Sequence, residues 1–462
     1  MKPAATADGL VAALGRELAG MRVLTDAADV EAYRFDETAY LSAGHPLAVC
    51  FPRSTSDVQR IVRLCAAAGV PIVARGAGTG LSGGAVAVDG AVTVSFTQMD
   101  QILDIDAPNL TVTTQPGVIN AVLNRAVGEH GLFYPPDPAS FEMCSIGGNL
   151  AENSGGLRCV KYGVTRDWVL GLEVVLADGS VIRTGGKNVK DVAGYDLTNV
   201  FVGSEGTLGL ITEATLRLLP LPPAKLTMIA FFPTIAAAGD AVSRITAAGV
   251  IPVTLELMDA FTIAAVDDVH QLGLDRTAGA MLMVESDAGG EAAEQELATA
   301  EQAATVAGAT AVVRAADAQE ADWLRQARRA AHGSLEKAGV ARMDDVGVPR
   351  SRIPEMLASI ERIAAAHNLR VGVFGHAGDG NLHPTYILDR DDAGAEARID
   401  AARDEIYRAA LALGGTVTGE HGTGLAKKRW LELQHGARAV EVMRSIKDAL
   451  DPAGLLNPGK IF

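Results

Sequence analysis

Two histidines, His376 and His383, lie close together in the stretch Gly375-His376-Ala377-Gly378-Asp379-Gly380-Asn381-Leu382-His383, and a second glycine-rich turn, 419–424, carries the pair Glu420-His421. Imidazole and carboxylate together suit zinc, manganese or iron, and three protein ligands leave a coordination position for a substrate oxygen. The set therefore reads as a metal site, His376, His383 and Glu420, with His421 as a spare base, and an open position points to chemistry rather than scaffolding. The bland alternative is that these histidines only hydrogen-bond a tight turn. The chain has 9 histidines; two in one short window, with a carboxylate beside a third, favour metal.

The runs 369–374 and 386–388 flanking the histidine turn read as strands, so both imidazoles are expected at one strand mouth. At 462 residues the chain exceeds what one hydrophobic core usually supports, and two or more domains are expected. Hydrophobic residues at 48% and charged ones at 21% fit a globular protein without long disordered tracts. A net charge of −16 repels phosphate backbones and anionic lipid, which argues against nucleic acid as a partner. A small anion would have to be met by arginines gathered locally. Cys50, Cys65, Cys144 and Cys159 show no Cys-x-x-Cys spacing and fit a reducing compartment. Residues 1–18 lack a sustained apolar region, so no signal peptide is read, and no apolar run reaches the roughly 18 residues of a membrane span. A cytoplasmic protein is expected.

The first half is organised around glycine. A helix capped by Ser54 and ended at Gly69, with Val58, Ile61, Val62, Leu64 and Cys65 on or near one face, leads to a strand over 70–74 and then to the loop 75–84. Arg75 and the repeated absence of side chains there suit an anion approached by backbone amides. Gly78, Gly80 and Gly83 match the dinucleotide fingerprint, but residues 86–96 continue as a β pattern where that fingerprint should open a helix, so a nicotinamide-binding reading fails. Further small-residue clusters at 145–156 and 203–209, with the rigid turn 135–140, imply a long ligand laid across several loops. Between them, 169–176 and 180–183 read as a hairpin turning at Asp178-Gly179.

Together, 75–84, 135–140, 145–156, 203–209, 375–384, 420–424 and the terminal 456–460 resemble, in order and over nearly the whole chain, the FAD-linked 2-hydroxy acid dehydrogenases. That family has a vanillyl-alcohol-oxidase type FAD domain and includes D-lactate, D-2-hydroxyglutarate and glycolate dehydrogenases. The resemblance implies an α+β fold: a two-subdomain FAD-binding domain over 1–222, a ferredoxin-like α+β substrate and metal domain over 223–415, and a C-terminal segment 416–462 that packs back on the FAD domain. It implies an FAD diphosphate along Arg75, Gly76, Gly78, Thr79, Gly80, Leu81 and Ser82. The flavin would be contacted by Pro136, Ser140, Gly148, Asn149 and Ser154, and the adenosine side by Glu205 and Ile211, with Gly147, Gly155, Gly209 and Asn457 completing the set. No histidine stands in 75–84, so the FAD is expected to be non-covalent.

After the proline-rich boundary 220–223, strand-like runs at 226–232, 253–258, 281–285 and 311–314 alternate with helices near 235–248 and 291–307, a βα repetition on one modest sheet. The helical run 317–337 bears Arg325, Arg328 and Arg329; two are expected to face solvent, and Arg328 corresponds by resemblance to the arginine that grips the substrate carboxylate. Dicarboxylate-oxidising relatives carry a lysine where Met343 stands, so the substrate is expected to be D-lactate-like or to bear a larger apolar side chain, with D-2-hydroxyglutarate and glycolate as the alternatives. In the implied reaction a divalent metal, zinc first with manganese or iron as alternatives, binds the 2-hydroxyl, His421 takes its proton, and FAD takes the hydride. Electrons would leave to an electron-transfer flavoprotein, a cytochrome or a quinone; a homodimer is left open.

Overall fold

The computed structural model describes residues 7–18 and 20–462. The reading of 1–18 for a signal peptide falls partly on 1–6, outside the described residues. Two compact units are present: the first comprises the chain to Gly155, Val164–Leu221 and Glu420–Phe462, the second Gly156–Gly163 and Pro222–Gly419. Residues 416–419 thus stay with the second unit, and the return to the first begins at Glu420.

The first unit contains a four-stranded sheet, β1 (Arg22–Leu24), β2 (Ala48–Phe51), β3 (Ile72–Arg75) and β4 (Val92–Ser95), in the order β1-β2-β4-β3. Strands β2, β4 and β3 run parallel, and helix α1 (Ala7–Glu17) and helix α2 (Thr55–Ala68) join its apolar core. Helix α2 starts where the Ser54 hydroxyl accepts the Asp57 amide at 3.3 Å and stops at Gly69, whose φ of 65° suits glycine. Its Val58, Ile61, Val62 and Cys65 are buried in that core, worth about 1.5–3 kcal/mol for each large apolar side chain. The loop leaving β3 opens no helix, as the Rossmann reading would have required. The β run expected from Val86 is confined to β4, because Gly83 and Gly90, at φ 82° and 69°, turn the chain before it.

A second, antiparallel sheet holds β5 (Ile102–Asp106), β6 (Thr111–Thr114), β7 (Val169–Val175), β8 (Val181–Gly185) and β9 (Leu210–Arg217) in the order β5-β6-β9-β7-β8. The β7–β8 hairpin turns at Asp178-Gly179, with Gly179 at φ 77° and Asp178 accepting the Ser180 amide at 2.8 Å. The cluster after Cys144 forms a short helix, α3 (Ile146–Glu152), which its paired glycines had hidden; Ser145 caps it and Asn153, at φ 57°, ends it. Leu456 bridges to Ile72, so the tail is held against β3.

The second unit is built on an eight-stranded sheet. Strands β10 (Leu226–Phe232), β11 (Thr254–Asp259), β12 (Ala280–Ser286), β13 (Ala311–Arg314), β14 (Val340–Met343), β15 (Arg370–His376) and β16 (Asn381–Leu388) lie in the order β13-β10-β12-β11-β15-β16-β14, with Val346–Gly347 also paired to β16. The first four give the order of a ferredoxin-like unit, and the added strands make the sheet larger than the sequence pattern suggested. Helices α4 (Ile235–Ala247), α5 (Ala260–His270), α6 (Gly290–Val306), α7 (Ala318–Arg329), α8 (Ala331–Ala338) and α9 (Ile353–Ala366) pack on it. The expected single helix over 317–337 is two, divided at Ala330. One apolar cluster joins Met258, Met281, Met283 and Phe374 of the sheet to Ile263 and Val266 of α5, Ala327 of α7, and Ala331 and Leu335 of α8. No helix among the described residues is long and apolar enough to cross a membrane.

Candidate metal and cofactor sites

His376 closes β15 and His383 lies within β16, so the strands run through both histidines and only 377–380 turn. The register pairs Phe374 with His383 and His376 with Asn381, which stands the two imidazoles on adjacent strands with ring centroids 5.2 Å apart and nearly perpendicular at 86°. Gly380, at φ 89°, makes the tight turn; a Cβ there would run into the Val348 carbonyl.

Glu420 directly follows Gly419, the last residue of the second unit. Asp345 Oδ2 fixes the preceding backbone by accepting the Gly419 amide at 2.9 Å and the Thr418 hydroxyl at 2.7 Å, while the Asn381 amide fills the space a side chain at 419 would need. Ligand atoms of His376, His383 and Glu420 lie within 4.8 Å of one another. Donors each about 2.0–2.2 Å from a shared ion would be so spaced, and this donor set fits zinc or a related divalent metal.

Behind His376 stands a residue that the sequence reading missed. Glu256, in β11 and 1% exposed, holds its Oε1 at 2.8 Å from His376 Nδ1 and its Oε2 at 2.6 Å from Arg328 Nη2. A carboxylate between Leu255 and Leu257 in a wholly buried stretch of strand needs a buried partner, and that was the available signal. Arg328 is buried with its guanidinium 4.8 Å from the Phe374 ring centroid, whereas Arg325 is tied to Glu285 at 2.7 Å and Arg329 is exposed. His421 is buried.

The first unit holds a cavity lined by its own residues. Arg75, Gly76, Gly78, Thr79, Gly80, Ser140, Gly147, Gly148, Asn149, Ser154, Glu205, Gly209 and Ile211 line it. Leu81, Ser82, Pro136, Gly155 and Asn457 do not. Ser82 turns its hydroxyl to Glu152 at 3.4 Å and its carbonyl to the Leu425 and Ala426 amides; Pro136 gives its carbonyl to Asn120; and Asn457 donates to the Gly84 and Glu205 carbonyls at 2.9 and 2.7 Å. These three support the wall from behind. Gly78 adopts φ 83°, a conformation that favours glycine, and a Cβ on Gly76 would press on the Ser145 hydroxyl. The buried Asn149 Nδ2 makes no hydrogen bond to the protein, a donor left for a ligand.

Glu152, also unforeseen, lines the same cavity as Glu205. Burial, with the neighbouring charges of Glu205 and Asp36, lifts Glu152 well above the usual carboxylate range. Burial likewise pushes Glu205 up to about 7, although the Thr423 and Gly424 amides donate to it at 2.8 and 2.7 Å.

Two family models match most of the chain. Residues 46–185 match a family described as an FAD binding domain, and 221–461 match the C-terminal domain of FAD linked oxidases. The chain is 47% identical over 431 residues to the glycolate oxidase subunit GlcD of Bacillus subtilis, covering 93% of this chain and 92% of that one. It is 35% identical over 461 residues to a D-lactate dehydrogenase of Anaerostipes hadrus, covering 96% of each. The structure of p-cresol methylhydroxylase with substrate bound shares the fold at a TM-score of 0.78 with 18% identity, covering 98% of this chain and 96% of that one. The fold is the α+β arrangement of the vanillyl-alcohol-oxidase type, an FAD-binding domain followed by the C-terminal domain of FAD linked oxidases.

A pH dependence follows from the two raised carboxyls. Glu205 gains a proton below about 7, which favours the folded state at low pH, and that contribution is withdrawn as pH rises through about 7. The anions formed above it would repel an FAD diphosphate in the same cavity. FAD release, followed by recovery of free-flavin fluorescence, is expected to be faster at about pH 8 than at about pH 6, and Glu205→Gln should flatten the difference. Faster release on the acid side would contradict this.

Proposed function

Because this chain belongs to the family of FAD-linked oxidases, we propose that it oxidises a short 2-hydroxy acid to the 2-oxo acid, passing the hydride to non-covalently bound FAD with the help of a divalent metal. The observation that carries this reading is the convergence of His376, His383 and Glu420, with Arg328 buried beside them through Glu256. Bound FAD would supply the hydride acceptor, and a bound divalent ion the positive charge that favours loss of the hydroxyl proton.

The protein's own groups perform the rest. His376, His383 and Glu420 hold the ion. His421, adjacent in sequence to Glu420, receives the hydroxyl proton. Arg328 gives part of its guanidinium to Glu256 and offers its remaining donors, among them an Nε–H that makes no hydrogen bond within the protein, to the substrate carboxylate. The 76–80 backbone, Asn149 and the walls of the first-unit cavity orient the flavin nucleotide.

Glycolate is the first substrate to test, since the relative at 47% identity is named for it, ahead of the D-lactate-like acids that the sequence suggested. A dicarboxylate is disfavoured. Met343 is half-buried against the apolar cluster of the second unit, and the adjacent Arg342, which could have replaced a lysine, is directed to Glu396 at 2.7 Å. That relative is named as a subunit, which supports a chain that works in an assembly; the electron acceptor proposed is a flavoprotein, cytochrome or quinone. Mixed anaerobically with the purified holoprotein, glycolate and D-lactate are expected to bleach the flavin band within seconds, and D-2-hydroxyglutarate at least about tenfold more slowly, a difference near 1.4 kcal/mol. Equal or faster bleaching by the dicarboxylate would overturn the substrate assignment; rapid peroxide formation in air would replace the dehydrogenase by an oxidase.

A further inference from the structure

We propose that Glu256 is a positioning residue that fixes the ring state of His376 and the placement of Arg328 at once, so that the metal and the substrate carboxylate are addressed through one buried side chain. The inference rests on the metal-assisted reading above and assigns the site a part that the sequence motifs do not supply.

The arrangement follows from strand register. Leu257 pairs with Gly375 and Met258 with Phe374 across the β11–β15 ladder, which sets Glu256 directly opposite His376. Helix α7 brings Arg328 from the far side of the carboxylate. Each oxygen then has one partner: Oε1 faces His376 Nδ1 at 2.8 Å and Oε2 faces Arg328 Nη2 at 2.6 Å. All three side chains are buried, Glu256 at 1% exposure and the other two at 5%. A charge this deep persists only when paired, and a guanidinium on one side with an imidazole N–H on the other provides the pairing.

Chemical consequences attach to both ends. A carboxylate accepting from Nδ1–H leaves the lone pair on Nε2, the state a metal ligand needs, and outer carboxylates of this kind orient ligating histidines and raise their basicity. At the other end, Arg328 is held between its ion pair with Glu256 and the Phe374 ring, whose centroid lies 4.8 Å from the guanidinium carbon. Only a group with two acceptor oxygens serves both neighbours. A glutamine there fails at one end whichever way its amide turns. With oxygen toward His376, its NH2 meets the Arg328 donor; with NH2 toward His376, the ring must carry its proton on Nε2 and cannot bind metal there.

The test compares wild type, Glu256→Gln and Glu256→Asp as FAD-loaded full-length proteins, titrated with zinc chloride against a fluorescent zinc chelator. Glu256→Gln is expected to weaken zinc binding by about 10- to 100-fold. With zinc restored to saturation, it should raise KM for glycolate or D-lactate more than it lowers kcat, while FAD content stays stoichiometric. Glu256→Asp, which keeps two acceptor oxygens, should recover part of the zinc affinity. Glu256→Gln that binds zinc as tightly as wild type, or that loses thermal stability with zinc affinity intact, would overturn the proposal. Should Glu256→Gln not fold, zinc affinity in Glu256→Asp equal to that of wild type would overturn it, and a several-fold loss would support it. Wild type that binds no zinc and reduces flavin regardless would instead remove the metal-assisted reading and this proposal with it.

Discussion

His383→Ala protein is expected to retain its FAD, lose its zinc, and fail to bleach when mixed anaerobically with glycolate or D-lactate. The reasoning is local. The cavity proposed for FAD is lined by residues of the first unit alone, whereas His383 is buried in β16 of the second, so its removal leaves the cofactor's walls untouched. Loss of one imidazole from three ligands leaves a donor set too poor to hold a divalent ion against water. A Lewis acid at a developing alkoxide is worth several kcal/mol, and about 4–7 kcal/mol corresponds to roughly 10³- to 10⁵-fold in the rate of flavin reduction. Chelator-stripped wild type should show the same defect, and added zinc, manganese or iron should restore wild type but not the variant. A reduction rate that ignores both the chelator and the substitution would demote His376, His383 and Glu420 to structural residues.

The second large effect is expected at His421. Its replacement by alanine should leave FAD and zinc stoichiometry intact while turnover drops by about 10²- to 10⁴-fold, the usual contribution of a positioned general base. Partial rescue by added imidazole would separate a missing base from a distorted site. Unchanged steady-state rates would count decisively against His421 as the proton acceptor. Because the adjacent Glu420 is a proposed ligand, zinc content has to be measured on the same sample, so that loss of metal is not read as loss of the base.

Several features were legible in the residues because their signals are short-range. Ser54 and Gly69 delimit helix α2 through a side-chain cap and a left-handed residue that any isolated helix would require. Asp178-Gly179 specifies its hairpin through one positive φ. The glycine loop after β3 could be separated from a dinucleotide fingerprint because no helical pattern followed it. Other features were hidden for equally local reasons. Helix α3 carries two glycines in its first turn that disfavour helix, and it exists because Ser145 caps it and its buried Ile146, Asn149 and Leu150 hold it in the first unit.

The sequence by itself determined the donor types of the candidate metal site, the glycine-rich character of the cavity wall and the family to which both point, since these depend on residue identity and near-neighbour spacing. Only the tertiary structure decided that Arg328 is paired with a buried carboxylate, that Glu152 and Glu205 share a cavity, and that Glu256 stands behind His376. Those relations join residues as far as 120 positions apart. They depend on strand register and helix docking, which the summed burial of whole sheets and helices fixes and no local pattern encodes.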